Sequence, residues 1–254
     1  MELKDGNIKV LVHSNHFRDN APSATRLVHD MLKALDYLAF KGLVHRDVKP
    51  ENILYSCLPV GGHTFQLADF GLCNLISDAQ TFAGSIKYMA PELFSDQASQ
   101  TAKVDVWSLF FTLAEVMNVD GFRRKRLNTT ASRIKAVEEA ARHPDFYPLR
   151  DMAIVDPSLR ASAGEMLDKL FSGDGRSTPR NEIQDSRAGI ASKLPIERHS
   201  VTKPSKRQSR MKCPGCRFEG EKDVVRSHAI SSGHLETRGK AIDIIDDILN
   251  GRPS

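Results

Sequence analysis

The chain has 254 residues, of which 40% are hydrophobic, and a formal net charge of +4, with much of the basic excess in residues 173–212. This composition can fill one large core or two smaller ones, whereas four cysteines are too few for a disulfide scaffold. No apolar run reaches the ~20 residues of a membrane helix and the N-terminus lacks the apolar core of a signal peptide, so we expect an intracellular protein, in the cytoplasm or nucleus, without a membrane partner.

The first predicted element is a helix over residues 24–40, where apolar residues recur at helical spacing after Pro22-Ser23. Two short runs of strand-forming residues follow at 53–55 and 65–67, with a turn containing Pro and Gly between them. These runs predict a small β-hairpin.

Between residues 103 and 171 the sequence pattern predicts helices. Residues 103–117 are apolar nearly all round, which predicts a buried central helix, and further helices are predicted over 132–141 and 162–171. Beyond Phe171 the composition changes to Ser, Gly, Pro, Lys and Arg without large apolar clusters. We therefore predict a disordered basic linker over residues 173–212, followed by a second, very small unit.

Residues 44–52 place a carboxylate, an ammonium and an amide at short spacing, on Asp47, Lys49 and Asn52. The tripeptides Asp69-Phe70-Gly71 and Ala90-Pro91-Glu92 follow in that order. Together the three motifs resemble the signature set of a eukaryotic protein kinase. The resemblance implies a mainly α fold in which residues 1–172 form a kinase-like C-terminal helical lobe with a small β-hairpin.

The resemblance implies a catalytic role for four of these residues. Asp47 would accept or orient the proton of the substrate hydroxyl, and Lys49 would contact the transferred phosphate. Asn52 and Asp69 would hold Mg²⁺ on the phosphates of ATP. The expected reaction is therefore phosphoryl transfer from ATP to a protein substrate.

Two further positions match the nucleotide side of the family's site. Leu54 corresponds to the apolar residue that packs beneath the adenine ring, and Glu51 to the residue near the ribose. A lysine two residues after the catalytic aspartate, as in Asp-Val-Lys-Pro-Glu-Asn, resembles the serine/threonine class. We therefore expect Ser and Thr hydroxyls as acceptors.

Residues 69–92 are similar to a short activation segment. Ser85 follows Ala83-Gly84, where the family usually has Gly-Thr, and would shape the substrate pocket. Arg46 matches an arginine that commonly pairs with a phosphate on this segment, and Thr81 is the candidate phosphorylated residue. In the alternative interpretation, Thr81 is an exposed loop residue without a role.

Other matches are architectural. Asp105 corresponds to the helix aspartate that anchors the catalytic loop, and Arg160 to the arginine that pairs with Glu92. Phe110 departs from the family, which usually has glycine there, so local packing must differ.

The glycine-rich loop, the strand lysine and the helix glutamate of a complete kinase site do not precede His45, and residues 1–3 resemble the hinge between the two kinase lobes. Three explanations of this difference remain open: a truncated gene model, a domain fragment, or a protein that has lost its upper lobe. We expect negligible kinase activity from the isolated chain, since electrostatic preorganisation at the nucleotide would be incomplete.

The C-terminal unit contains Cys213, Cys216, His228 and His234 with the spacing Cys-x2-Cys-x11-His-x5-His. This pattern resembles a Cys2His2 zinc finger, a ββα-type module that would cover residues 213–236 and bind a structural Zn²⁺. The interval of eleven residues is one shorter than the usual twelve, and an incidental Cys-x-x-Cys in a disordered tail is the alternative. Residues 237–254 form a tail with a predicted short helix.

The partners implied by the sequence are ATP, a protein substrate and, through the basic linker and the finger, a protein or a weakly bound nucleic acid. The base-reading positions of the finger fall on Glu221, Val224 and Ser227, which are poor readers of DNA. A noncatalytic binding or scaffold module that retains the kinase-like lobe is the alternative function. A nucleic-acid-binding protein with a kinase remnant is a third.

Overall fold

The computed structural model describes residues 4–14, 16–17, 20–75, 84–94 and 100–179, together with the backbone of two short strands at Arg210–Lys212 and Glu219–Glu221. Five predicted site residues lie outside the described residues: Thr81, Cys213, Cys216, His228 and His234. The roles assigned to them stay predictions.

Within the described ranges, five α-helices follow one another along the chain: α1 (Ile8–His13), α2 (Ala21–Phe40), α3 (Lys103–Val116), α4 (Thr130–Arg142) and α5 (Ala163–Phe171). Helix α2 begins after Asn20, whose side chain accepts the Ser23 N–H at 3.0 Å. The four helices predicted from the sequence are confirmed as α2 to α5. None of the described helices is long and apolar enough to cross a bilayer.

The strands of the lobe form small antiparallel sheets beside the kinase-like motifs. Strands β1 (Gly6–Asn7), β3 (Ile53–Cys57) and β4 (His63–Leu67) form one sheet in the order β1-β3-β4, which confirms the predicted hairpin as β3 and β4. Strand β2 (Leu43–Val44) pairs with β5 (Asn74–Leu75). This second pairing brings the chain before His45 beside the chain after Asp69-Phe70-Gly71.

Two further strands lie in the C-terminal part of the sequence. Strand β6 (Arg210–Lys212) pairs antiparallel with β7 (Glu219–Glu221), with Met211 opposite Gly220. In the sequence, Cys213 and Cys216 lie between these strands. The predicted zinc module therefore has a paired strand on each side of its cysteines, while its four ligands are outside the described residues.

Helix α3 is the centre of the hydrophobic core, and residues 104–114 are all buried. Phe110, at the position where the family resemblance implies glycine, is fully buried, and its ring lies edge-on to that of Phe146 with a centroid distance of 5.6 Å. Phe146 belongs to the irregular helical segment Pro144–Ala153. The larger side chain at this position is thus accommodated by an aromatic contact with that segment.

Residues 173–179 follow α5 and lie against α2. The backbone N–H groups of Ser177 and Thr178 donate to the Asp36 carboxylate at 2.6 and 3.0 Å. The chain in contact with the lobe therefore extends beyond the predicted boundary at residue 172. The predicted linker residues 180–209 lie outside the described residues.

Arg160 is fully buried, and each of its five N–H groups donates to an acceptor. Two of them bind the two carboxylate oxygens of Glu92 at 2.7 and 2.9 Å. The other three donate to the carbonyl oxygens of Ile154, Lys103 and Val155. The predicted pair is thus present, and it joins the 3₁₀ turn Pro91–Phe94 to the segment before α5.

We expect Arg160→Ala to lower the free energy of unfolding by about 3–5 kcal/mol, because it removes the guanidinium that binds both oxygens of the Glu92 carboxylate. Urea unfolding measures the change. The control is Arg142→Ala, which removes an exposed i,i+4 pair with Glu138 at 3.7 Å and should cost about 0.5 kcal/mol or less. Equal costs for the two variants would contradict a structural role for the buried pair.

Candidate active site

The loop from His45 to Asn52 is anchored to α3 through its backbone. The Asp105 carboxylate, in the first turn of α3, accepts the N–H of His45 at 2.7 Å and that of Arg46 at 2.8 Å. Asp105 is almost fully buried, and this burial raises its pKa, although the two N–H donors and the charge of the Arg46 guanidinium oppose the rise. Further along the loop, Thr112 of α3 donates its hydroxyl to the Val48 carbonyl at 3.1 Å. The central helix therefore positions the loop at two places.

His45 links this loop to the segment that carries Asp69. Its Nε2 lies 3.0 Å from the carbonyl oxygen of Ala68, so Nε2 carries a proton and donates it. Burial lowers the pKa of His45, which keeps the ring neutral at neutral pH and leaves Nδ1 as an acceptor. Nδ1 accepts the N–H of Asp47 at 3.3 Å. One neutral imidazole thus holds the backbone of both motifs.

The Asp47 carboxylate is the point where the loop side chains meet. Its Oδ2 accepts hydrogen bonds from Lys49 Nζ at 2.6 Å and from the Asn52 amide at 2.9 Å. Its Oδ1 accepts the backbone N–H of Ser85 at 2.9 Å. Burial by itself would raise the pKa of Asp47, but the hydrogen bonds and the charge of these partners lower it below the ordinary value. The carboxylate is therefore ionised at neutral pH.

Lys49 also joins the loop to the segment after Gly84, since its Nζ donates to Ser85 Oγ at 2.9 Å. Four residues singled out in the sequence therefore form one cluster: Asp47, Lys49, Asn52 and Ser85. The roles that the family resemblance assigns to them remain predictions. Their proximity is what a site for orienting a hydroxyl group requires.

Gly84 is a positioning residue that the sequence did not single out. Its φ is +112°, and a Cβ built there would lie 2.0 Å from the Arg46 carbonyl oxygen. No other residue fits without moving the backbone. The tripeptide Ala83-Gly84-Ser85 was the available signal, but only the structure shows that the glycine permits this contact.

Arg46 contacts Leu72 and lies against Gly84, the described residues between which Thr81 falls in the sequence. Its side chain is buried, its Nε donates to the Leu72 carbonyl at 2.7 Å, and its φ is +69°. Burial lowers the pKa of Arg46, but a guanidinium remains charged at neutral pH. The charge needed to bind a phosphate on the segment is therefore present, while the pairing with Thr81 remains a prediction.

Asn52 and Asp69 supply oxygen atoms suited to Mg²⁺. The Ala68 N–H donates to the Asn52 carbonyl at 2.8 Å, which places Asp69 beside the loop. Asp69 has left-handed backbone geometry with φ +61°, and one carboxylate oxygen accepts the Gly71 N–H at 3.3 Å. Among the described residues, Asn52 Oδ1 and the second Asp69 oxygen accept no hydrogen bond.

These two side chains fit Mg²⁺, because this ion prefers oxygen ligands and commonly takes only one or two from the protein, with water and phosphate as the others. The described ranges contain no cluster of three or more His, Cys, Asp and Glu side chains that could hold a metal.

The predicted nucleotide contacts are Leu54, in β3, and Glu51, in the 3₁₀ turn Pro50–Asn52 that precedes it. Leu54 is half-buried on the face opposite Ile53 and lines a cavity of about 320 Å³ together with Lys4 and Gln66. Glu51 pairs with Lys9 of α1 at 2.7 Å, and its second oxygen is buried without a hydrogen-bond partner in the described part of the chain. That oxygen is an acceptor suited to a hydroxyl group such as those of ribose.

We expect Asp105→Asn to lower the free energy of unfolding by about 1–3 kcal/mol, because the amide keeps one acceptor and leaves one loop N–H without a partner. Amide hydrogen exchange at His45 and Arg46 should accelerate, and urea unfolding measures the stability. The control is Asp145→Asn at an exposed position, which should change stability by about 0.5 kcal/mol or less. Unchanged exchange in Asp105→Asn would contradict the anchoring role.

Comparisons with known proteins agree with this geometry. The family model described as protein kinase domain matches residues 1–183. Serine/threonine-protein kinase PEPKR2 of Arabidopsis thaliana is 36% identical over 156 residues, covering 57% of this chain and 32% of that protein. Serine/threonine-protein kinase STE20 of Candida glabrata is 35% identical over 154 residues, covering 56% of this chain and 16% of that protein. Serine/threonine-protein kinase pakA of Talaromyces marneffei is 34% identical over 181 residues, covering 66% of this chain and 27% of that protein.

The chain spans about a third or less of the length of these three relatives. The matched region includes the whole Asp47 cluster, the Asp69 turn and the Glu92–Arg160 pair. On the extent of the family match, the chain belongs to the protein kinase domain family, and its relatives are serine/threonine kinases.

Proposed function

We propose that the site transfers the γ-phosphoryl group of ATP to a Ser or Thr hydroxyl of a protein substrate. The observation that carries this proposal is the Asp47 carboxylate, ionised, with Lys49 and Asn52 on one oxygen and the Ser85 N–H on the other. Phosphoryl transfer depends on positioning and charge stabilisation more than on covalent work by the protein. A cluster of this kind meets both needs.

In this proposal Asp47 orients the substrate hydroxyl and accepts its proton as the oxygen attacks the γ-phosphorus. Lys49, bound to both Asp47 and Ser85, brings a positive charge to the phosphate being transferred. Because these hydrogen bonds already hold the ammonium in place, the charge does not have to move during the reaction. Charges that are preorganised in this way lower the activation barrier.

Asn52 Oδ1 and the Asp69 carboxylate would hold Mg²⁺, which neutralises phosphate charge when bound. Leu54 would contact the adenine ring and the unpaired Glu51 oxygen would accept a ribose hydroxyl.

The sequence before His45 contains no Gly-x-Gly-x-x-Gly and no Val-Ala-x-Lys. In the family these parts contact the phosphates. We therefore expect the 254-residue chain on its own to transfer phosphate slowly. A second candidate function is a noncatalytic module that uses the lobe to hold protein partners.

Magnesium-dependent ATP binding and phosphate transfer to a Ser/Thr-containing protein distinguish the two functions. We expect Asp69→Asn to abolish the magnesium dependence of ATP binding, because it removes a ligand charge. Asp47→Asn should retain binding but lower the residual transfer rate by about 10²- to 10⁴-fold, because it removes the base. Calorimetry and incorporation of labelled phosphate are the measurements.

Asp145→Asn, at an exposed position outside the loop, is the matched control and should change neither quantity. A chain that binds no ATP with or without Mg²⁺ would contradict the kinase proposal and leave the scaffold function. Binding without any transfer above that of Asp47→Asn would also favour the scaffold.

We propose further that Cys213, Cys216, His228 and His234 bind one Zn²⁺. Their spacing and the pairing of β6 with β7 on either side of the cysteines support a ββα-type module. Its small size makes metal binding the main source of its stability.

Metal analysis of protein purified without chelators should therefore give about one zinc per chain. Cys213→Ser should lose this zinc, because a hydroxyl is a poor zinc ligand, whereas Cys57→Ser at an exposed free cysteine should keep it. Absence of zinc in the unaltered protein, or equal zinc in both variants, would contradict the site.

A further inference from the structure

The segment after α5 is fastened to the lobe by one buried carboxylate. We refer to residues 173–179 as the strap. Asp36 of α2 is 1% exposed and accepts three hydrogen bonds from the strap: from Ser177 N–H at 2.6 Å, from Thr178 N–H at 3.0 Å and from Thr178 Oγ at 2.6 Å. These donors come from residues more than 140 positions away in the sequence.

The strap donors satisfy a charge that would otherwise be buried alone. In the described part of the chain, every hydrogen bond to the Asp36 carboxylate comes from Ser177 or Thr178. A buried carboxylate without donors is costly, and bonds to an ionised acceptor are stronger than neutral ones. Asp36 therefore favours the attached position of the strap.

The remaining contacts of the strap are nearer to solvent. His29 of α2 lies 3.2 Å from the Asp174 carboxylate, whose side chain is 76% exposed. Arg176 pairs with Asp168 of α5 at 2.7 Å, and the Asp168 side chain is 31% exposed. Because solvent weakens such pairs, the bonds to Asp36 provide most of the attachment.

The Thr178 hydroxyl is the one side-chain donor in this attachment, and Pro179 follows it. Thr178 is half-buried and Pro179 is exposed. A following proline restricts a residue to extended backbone geometry, which suits a chain laid along the groove of a modifying enzyme. From this geometry we propose that Thr178 is phosphorylated by a proline-directed protein kinase, and that the phosphate releases the strap from Asp36.

In the modification, Thr178 Oγ attacks the γ-phosphorus of ATP, the bond from the γ-phosphorus to the bridging oxygen breaks, and ADP leaves. The hydroxyl proton passes to the base of the modifying kinase. The hydroxyl must leave Asp36 for this to occur, so the enzyme acts on the detached strap. Phosphothreonine then carries about −1.5 to −2 charge and no longer has the Oγ–H group that donated to Asp36. Reattachment would bring the negatively charged phosphate next to the Asp36 carboxylate, in place of the hydrogen bond from the Thr178 hydroxyl.

The first test is modification of the full chain. The substrate carries Asp47→Asn, so that the chain's own site does not contribute, and it is incubated with Mg-ATP and a proline-directed kinase. We expect mass spectrometry to find phosphate on Thr178, and Pro179→Ala to reduce it by about tenfold or more, because the enzyme depends on the proline. Phosphorylation of a peptide of residues 172–184 but not of Thr178 in the chain would overturn the proposal, because the strap would then never become accessible. Equal labelling of Pro179→Ala would overturn the assignment to this class of kinase.

The second test is hydrogen exchange of the Ser177 and Thr178 amides, which donate to Asp36. Phosphorylation should accelerate their exchange by about tenfold or more, the change expected when bonds to a charged group are lost. Asp36→Asn should accelerate it without phosphate. Ser177→Ala is the matched control and should leave exchange unchanged, because among the described residues the Ser177 hydroxyl makes no hydrogen bond. Unchanged α3 exchange in all samples shows that the lobe stays folded. Unaltered Ser177 and Thr178 exchange after phosphorylation, as would follow if Arg176 or Lys33 bound the phosphate, would overturn the release.

Discussion

Asp105 accepts two hydrogen bonds from the backbone of the active-site loop, at His45 and Arg46, and the rest of the site depends on them. Because the neighbouring α3 residues are buried, the loop is positioned by a helix of the hydrophobic core. Arg46 has φ +69°, a geometry that costs about 1–3 kcal/mol in a residue other than glycine. A hydrogen bond contributes about 0.5–1.5 kcal/mol net, so the two bonds to Asp105 together are comparable to that strain.

Two other buried charged groups in the lobe also receive hydrogen-bond partners from distant parts of the chain. Arg160 has an acceptor for each of its five N–H groups, and Asp36 has three donors from the strap. Such groups add little net stability compared with apolar burial, but a buried charge that lacks one of its hydrogen-bond partners lowers the stability of the fold. They therefore determine where distant segments meet, while α3 and its apolar neighbours supply most of the free energy of folding.

The helices and the hairpin could be predicted because each depends on local periodicity, and Asp47, Lys49 and Asn52 because they are close in sequence. The Phe110–Phe146 contact, the Lys9–Glu51 pair and the attachment of Thr178 to Asp36 could not. These contacts join residues far apart along the chain, and no periodic pattern records which partner lies opposite. The roles of Thr81 and of the zinc ligands stay predictions for a different reason, because they lie outside the described residues.

The close approach of Gly84 to the Arg46 carbonyl has a consequence for the acid–base chemistry of the site. It brings the Ser85 N–H to Asp47, and that bond is among the interactions that lower the pKa of the carboxylate. Withdrawal of the segment would remove this donor and make Asp47 a stronger base, but a less well oriented one. Proton affinity and loop conformation are thus linked through a single peptide group, and titration of Asp47 would report the position of the segment.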